Sequence, residues 1–142
     1  MAGRWADQSV ELSAPARGVI VWALLREIGR EGVAACVERH VQFARAVARA
    51  AVAHPRLELL MEPQLSIVCF RYVPRGTRDP EAVDARNRGI LERLRTETDI
   101  VPSSTTVNGR FAIRACFINP RTTEREVEAL VDLVVRFGDD AG

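Results

Sequence analysis

From residue 33 onward the apolar positions of the chain switch between a helical and an extended period. Cys36, Val37, His40, Val41, Ala44, Val47, Ala48 and Ala51 recur every three or four residues, with Arg39, Gln42, Arg45 and Arg49 turned away from them. That spacing predicts a long amphipathic helix, ended by Pro55 after His54. Residues 57–61 then read as a strand, Glu62-Pro63-Gln64 as a turn, and residues 65–72 as a second strand. Leu65, Ile67, Cys69 and Arg71 alternate there with Ser66, Val68, Phe70 and Tyr72, so both faces are largely apolar, as in a central strand covered on both sides. Asp79 as cap and Pro80 at the first helical position open another helix, with Val83, Asn87, Ile90, Leu91 and Leu94 inward. Arg86, Arg88, Arg93 and Arg95 fall largely outward among Glu81, Asp84, Glu92 and Glu97, which predicts a solvated, locally paired face and not a basic patch.

Residues 100–107, whose first half Pro102 confines to an edge or bulge, lead into Asn108-Gly109. This pair favours a two-residue type I′ turn because both positions need φ > 0, so Val107 and Arg110 should face each other. Phe111, Ile113, Ala115 and Phe117 then share one face of a strand, while Ala112, Arg114, Cys116 and Ile118 share the other. Pro120 stops the strand at Asn119. Thr123 with Glu126 forms a capping box for a last helix carrying Val127, Leu130, Val131 and Val134, expected to reach Arg136 or Phe137 and to be closed by Gly138. Residues 139–142 read as frayed.

Upstream, residues 1–12 show no sustained period and read as an extended arm, although Trp5 calls for burial. Ser13 and Pro15 open a helix whose residues 19–25 are apolar nearly all round, a pattern that needs partners on several sides, inside this chain or outside it. Gly29 and Gly32 mark a break before the next helix. The element order gives an α+β fold: an antiparallel sheet of about four strands with helices packed on it, preceded by an N-terminal arm and helix. Residues 1–30 are expected to be that arm and helix, and residues 31–142 a compact small domain.

Composition narrows the function. With 142 residues and 47% apolar content the chain can bury one core. A net charge of +1 supplies no field for nucleic acid or an anionic membrane, and an RNA-binding sheet would need exposed aromatics where Phe70, Tyr72, Phe111 and Phe117 take core positions. No segment has the length of a membrane span and the first residues lack a signal peptide's apolar core, so a cytoplasmic protein is expected. Cys36, Cys69 and Cys116 are widely spaced and read as buried free thiols. His40 and His54 lie fourteen apart with no carboxylate cluster, so no metal site is expected, and His40, on the apolar stripe, reads as a core histidine. The Ser103-Ser104-Thr105-Thr106 tract reads as strand and loop material, and no catalytic residue is assigned. Arg114 is the candidate binding residue: it sits opposite Phe111 and Phe117, beside the small Ala112 and Cys116, with room for a planar carboxylate to reach a permanent charge. A salt bridge between domains is the competing role for it.

The stretch from Asn108 to Thr123, Asn-Gly-Arg-Phe-Ala-Ile-Arg and then Asn-Pro-Arg-Thr-Thr, resembles the carboxyl-terminal region of the pyridoxal-phosphate-dependent group II amino-acid decarboxylases, the family of aromatic-L-amino-acid decarboxylase. Residues 7–12, Ala16-Arg17, residues 22–32, Glu38-Arg39-His40-Val41 and residues 66–71 are similar to successive further blocks of that family. The resemblance implies the family's small domain and places Arg114 near the substrate's α-carboxylate. It implies a structural pairing for Arg17 at the domain boundary, although Ala14 and Pro15 replace the arginines usual there. The family's cofactor, pyridoxal 5′-phosphate, is held as a Schiff base on a lysine of the large domain. All twenty basic residues here are arginine, so no cofactor-binding residue is expected in this chain. The resemblance therefore implies a C-terminal fragment, truncated or one part of a split enzyme, inactive alone and partnered as a homodimer or with a pyridoxal-phosphate-binding large domain. The alternative is a non-enzymatic α+β dimerisation or small-anion-binding module.

Overall fold

The computed structural model describes residues 16–76 and 79–140. The expected arm, Trp5, the Ser13 cap, Pro15 and the end of the chain at residues 141–142 lie outside them, as does the side chain of Arg17. Three helices and four strands follow one another as α1 (Arg17–Ala53), β1 (Leu57–Gln64), β2 (Ile67–Tyr72), α2 (Pro80–Glu97), β3 (Ser103–Val107), β4 (Arg110–Cys116) and α3 (Glu124–Asp140). The α+β expectation holds. The chain divides into two compact units, Met1–Ala35 and Cys36–Gly142.

In the first unit α1 is interrupted at Gly29 alone, with φ 67° and ψ 177°, a conformation that costs glycine nothing and other residues a steric clash. Val19, Ile20, Val21, Trp22, Leu24 and Leu25 are all exposed along this helix.

In the second unit the sheet is antiparallel with the order β1-β2-β4-β3, so β2 and β4 are central. Its core face packs Val68, Phe70, Tyr72, Ile113, Ala115 and Phe117 against Phe43, Ala44, Val47, Ala48 and Ala51 of α1, Ile90 and Leu94 of α2, and Val127, Leu130, Val134 and Phe137 of α3. The stripe on α1 is shifted from expectation: Val37 is exposed and Phe43 is buried, edge-on to Phe117 at 5.8 Å. On α2 the five expected inward residues are the five buried ones. Asp79 caps it, accepting from the Glu81 N–H at 3.1 Å.

Several expected boundaries move, among them the end of β4, which falls at Cys116 and not at Asn119. The first strand runs on through Glu62-Pro63 to Gln64, and the chain turns instead at Leu65-Ser66, with Leu65 at φ 52°. Proline is tolerated because β1 is an edge strand, bulged between Leu59 and Met61 and again before Gln64. The strand after Asp99 begins only beyond Pro102, at Ser103. The last helix passes through Gly138 to Asp140, because Gly138 is buried against the Tyr72 ring and a Cβ there would collide with it. The Asn108-Gly109 turn is as expected, with φ 50° and 76° and Val107 paired to Arg110.

Of the α2 arginines Arg88 and Arg95 are exposed as their spacing predicts, while Arg86 and Arg93 are half-buried. Arg93 lies 3.9 Å from the Phe137 ring centroid while pairing with Glu97, Arg88 lies 4.5 Å from that of Phe111, and Arg86 donates to Gly138 O at 2.9 Å. Their long stems cover aromatic surface that the sheet and α3 leave open.

Candidate functional site

The sheet face opposite the core carries a smaller cluster made only of strand residues: buried Leu60, Cys69 and Ala112, with Ile67 and Val107 beside them. Arg71, Arg110 and Arg114 project from this face by the two-residue period of β2 and β4. Arg71, 8% exposed, donates from Nε to Glu58 at 2.7 Å and lies 3.4 Å from Asp84. Arg110 donates to the other oxygen of Glu58 at 2.6 Å. Both are thus neutralised by carboxylates within the sheet and α2.

Arg114 differs. It stands in the middle of β4, paired in register with Cys69 on one side and Ser103 on the other. Its Nη1 donates to Ser103 Oγ at 3.3 Å, and among the described residues no carboxylate lies within salt-bridge distance of it. The neighbours along its own strand, Ala112 and Cys116, are small. A half-buried guanidinium with a protein hydrogen bond but no counter-charge is suited to accept an anion, most readily a planar carboxylate.

The thiols are only partly as expected. Cys69 is buried, and burial pushes its pKa up while the charge of Arg114 opposes the shift. Cys36 is half-buried and Cys116, at the end of β4 on the face opposite the core, is exposed. His40 is buried, with Nε2 at 3.1 Å from Asn119 O, and Arg39 donates to Pro120 O at 2.8 Å, so α1 holds the turn after β4. Among the described residues no group of three or more His, Cys, Asp or Glu could hold a metal ion, and no helix is long and apolar enough to cross a membrane. Sequence reasoning passed over Ser103. The hairpin register contained it, since pairing Val107 with Arg110 sets Ser103 opposite Arg114.

Comparison with known proteins defines first a class of fold and then a family. The tryptophan decarboxylase of Oryza sativa solved with PLP and tryptamine superposes with a TM-score of 0.83 at 22% identity, covering 96% of this chain and 29% of that one. Mouse CSAD in apo form gives 0.83 at 18% identity, covering 95% and 30%. Residues 2–73, half of the chain, match the pyridoxal-dependent decarboxylase conserved domain, and the chain belongs to that family. Tryptophan decarboxylase 2 of Oryza sativa subsp. japonica is 28% identical over 123 residues, 87% of this chain and 24% of that protein. L-2,4-diaminobutyrate decarboxylase of Rhizobium meliloti (strain 1021) is 30% identical over 130 residues, 90% of this chain and 26% of that protein. The chain thus spans about a quarter of the length of the curated relatives it matches. The family's cofactor is pyridoxal phosphate. These residues do not fit it by themselves, because a sequence without lysine offers no side-chain amine for a Schiff base.

Proposed function

We propose that this chain serves as the C-terminal small domain of an amino-acid decarboxylase, inactive alone, that completes its site with a large domain bearing the cofactor lysine. Within that assembly Arg114 binds and orients the α-carboxylate of the amino-acid substrate. The observation that carries this reading is the contrast on one sheet face: Arg71 and Arg110 are paired with Glu58, and Arg114 has no carboxylate partner among the described residues. A charge left without a counter-ion on a half-buried surface calls for an anion from elsewhere. Family membership makes an amino acid's carboxylate the natural choice.

The partner reading, with residues 1–30 as the boundary arm and helix, is supported by the exposed apolar run on α1. Val19, Ile20, Trp22 and Leu24 are each more than half exposed, and a helix apolar on several sides is stabilised by being covered. A large domain, and a second copy of the assembly as in a homodimer, are the covers proposed here. Mixing the purified chain with a lysine-bearing large domain of this family, with pyridoxal phosphate and candidate amino acids, tests the reading. Carbon dioxide release is expected from the mixture and not from this chain alone. A chain that neither binds the large domain nor supports turnover, yet still binds carboxylates, would instead be the small-anion-binding module.

A further inference from the structure

We propose that Ser103 is a positioning residue that sets Arg114 for side-on capture of a carboxylate. The inference rests on the reading of Arg114 as the carboxylate's ligand. Ser103 Oγ donates to Arg114 O at 3.2 Å and accepts from Arg114 Nη1 at 3.3 Å, so one hydroxyl ties the guanidinium back to its own strand. The polarity is fixed. With its single proton spent on the carbonyl, the hydroxyl turns only lone pairs toward the guanidinium. One N–H of Nη1 is engaged by Ser103, and the edge formed by Nε and Nη2 carries no protein hydrogen bond among the described residues, with two parallel N–H groups that match the spacing of a carboxylate's oxygens. Arg114 itself is only half-buried.

Fixing the side chain before the ligand arrives removes part of the rotamer entropy that a free arginine would lose on binding. Ser103 lies on an edge strand and is itself half-buried, so changing it leaves the core intact. Ser103→Thr keeps the hydroxyl and suits a strand, whereas Ser103→Ala removes both bonds.

The test uses the full chain with nitrogen-15 arginine, in which the Arg114 Nε–H resonance is recognised by its loss in Arg114→Lys. Sodium acetate is titrated against a sodium chloride control of equal ionic strength. Wild type and Ser103→Thr are expected to show slow guanidinium rotation and a saturable acetate shift. In Ser103→Ala rotation becomes fast and acetate affinity falls about three- to tenfold, the range set by one net hydrogen bond. Equal rotation and equal affinity in Ser103→Ala overturn the role of Ser103 while leaving Arg114 as a carboxylate ligand. A wild-type resonance indifferent to acetate overturns that reading of Arg114 and this inference with it.

Discussion

Asn87 of α2 completes the backbone of Tyr72 where the sheet comes apart: its Oδ1 accepts from Tyr72 N at 2.8 Å and its Nδ2 donates to Tyr72 O at 2.7 Å. The β2–β4 ladder ends at Phe70 and Ile113, and beyond it α2 supplies the missing partners, Asn87 for Tyr72 and Asp84 for the Phe111 N–H. Asn87 is fully buried, and its second amide proton goes to Val83 O. Asn87→Leu leaves two buried backbone groups without partners, each costing about 1–3 kcal/mol. Chemical denaturation should show a loss of about 2–4 kcal/mol, and a loss below about 0.5 kcal/mol would mean that water replaces the amide.

Gly138 and Gly89 should respond oppositely to alanine. A Cβ at Gly138 meets the Tyr72 ring, whereas at Gly89, exposed on α2, it meets nothing within 4 Å. Gly138→Ala is expected to cost about 1–3 kcal/mol by overpacking, and Gly89→Ala to stabilise by about 0.5–1 kcal/mol through helix propensity. Paired thermal melts decide the matter, since equal shifts would refute the close approach of α3 to β2.

Asp139 carries a pH signature. The Tyr72 hydroxyl, donating to it at 2.6 Å, and then the Arg56 guanidinium hold its carboxyl below the usual carboxylate range. A depressed folded pKa contributes stability that is present above the ordinary aspartate value of about 3.9 and lost as pH falls through the folded value. Asp139→Asn should therefore be less stable than wild type at neutral pH, with the gap closing below about pH 4. A gap independent of pH would assign the effect to packing.

Thiol exposure predicts an order of alkylation. Exposed Cys116 should react with iodoacetamide in the folded chain, while Cys69, buried and with its pKa raised, should react only after unfolding. Peptide mass mapping over time reads this directly, and early modification of Cys69 would show the open sheet face to be less well packed than described.

Most of the fold was legible because its signals are local. The Asn108-Gly109 hairpin, the Asp79-Pro80 helix start and the inward residues of α2 each follow from a few adjacent side chains. The misplaced boundaries have non-local causes. Glu62-Pro63-Gln64 reads as a turn until β1 is known to be an edge, and Gly138 reads as a helix end until Tyr72 is known to lie beneath it. For the candidate site, Arg114 was visible as a charge on an otherwise small-residue face. Its distinction from Arg71 and Arg110 was not, because Glu58, which neutralises both, is 13 residues from Arg71 and 52 from Arg110 and meets them only once the strand register is known.

Arg114 is the residue on which the proposed function rests. In the proposed assembly it would contact a carboxylate whose charge is lost as it leaves, and would stabilise bound substrate at least as much as the transition state, so its loss should appear in KM more than in kcat. Steady-state kinetics of the chain mixed with a lysine-bearing large domain of this family, comparing wild type with Arg114→Ala, is the decisive measurement. The account predicts a KM about ten- to a hundredfold higher, the equivalent of one charge-assisted hydrogen-bonded pair, with kcat changed far less. An unchanged KM would contradict it and reduce Arg114 to a structural charge.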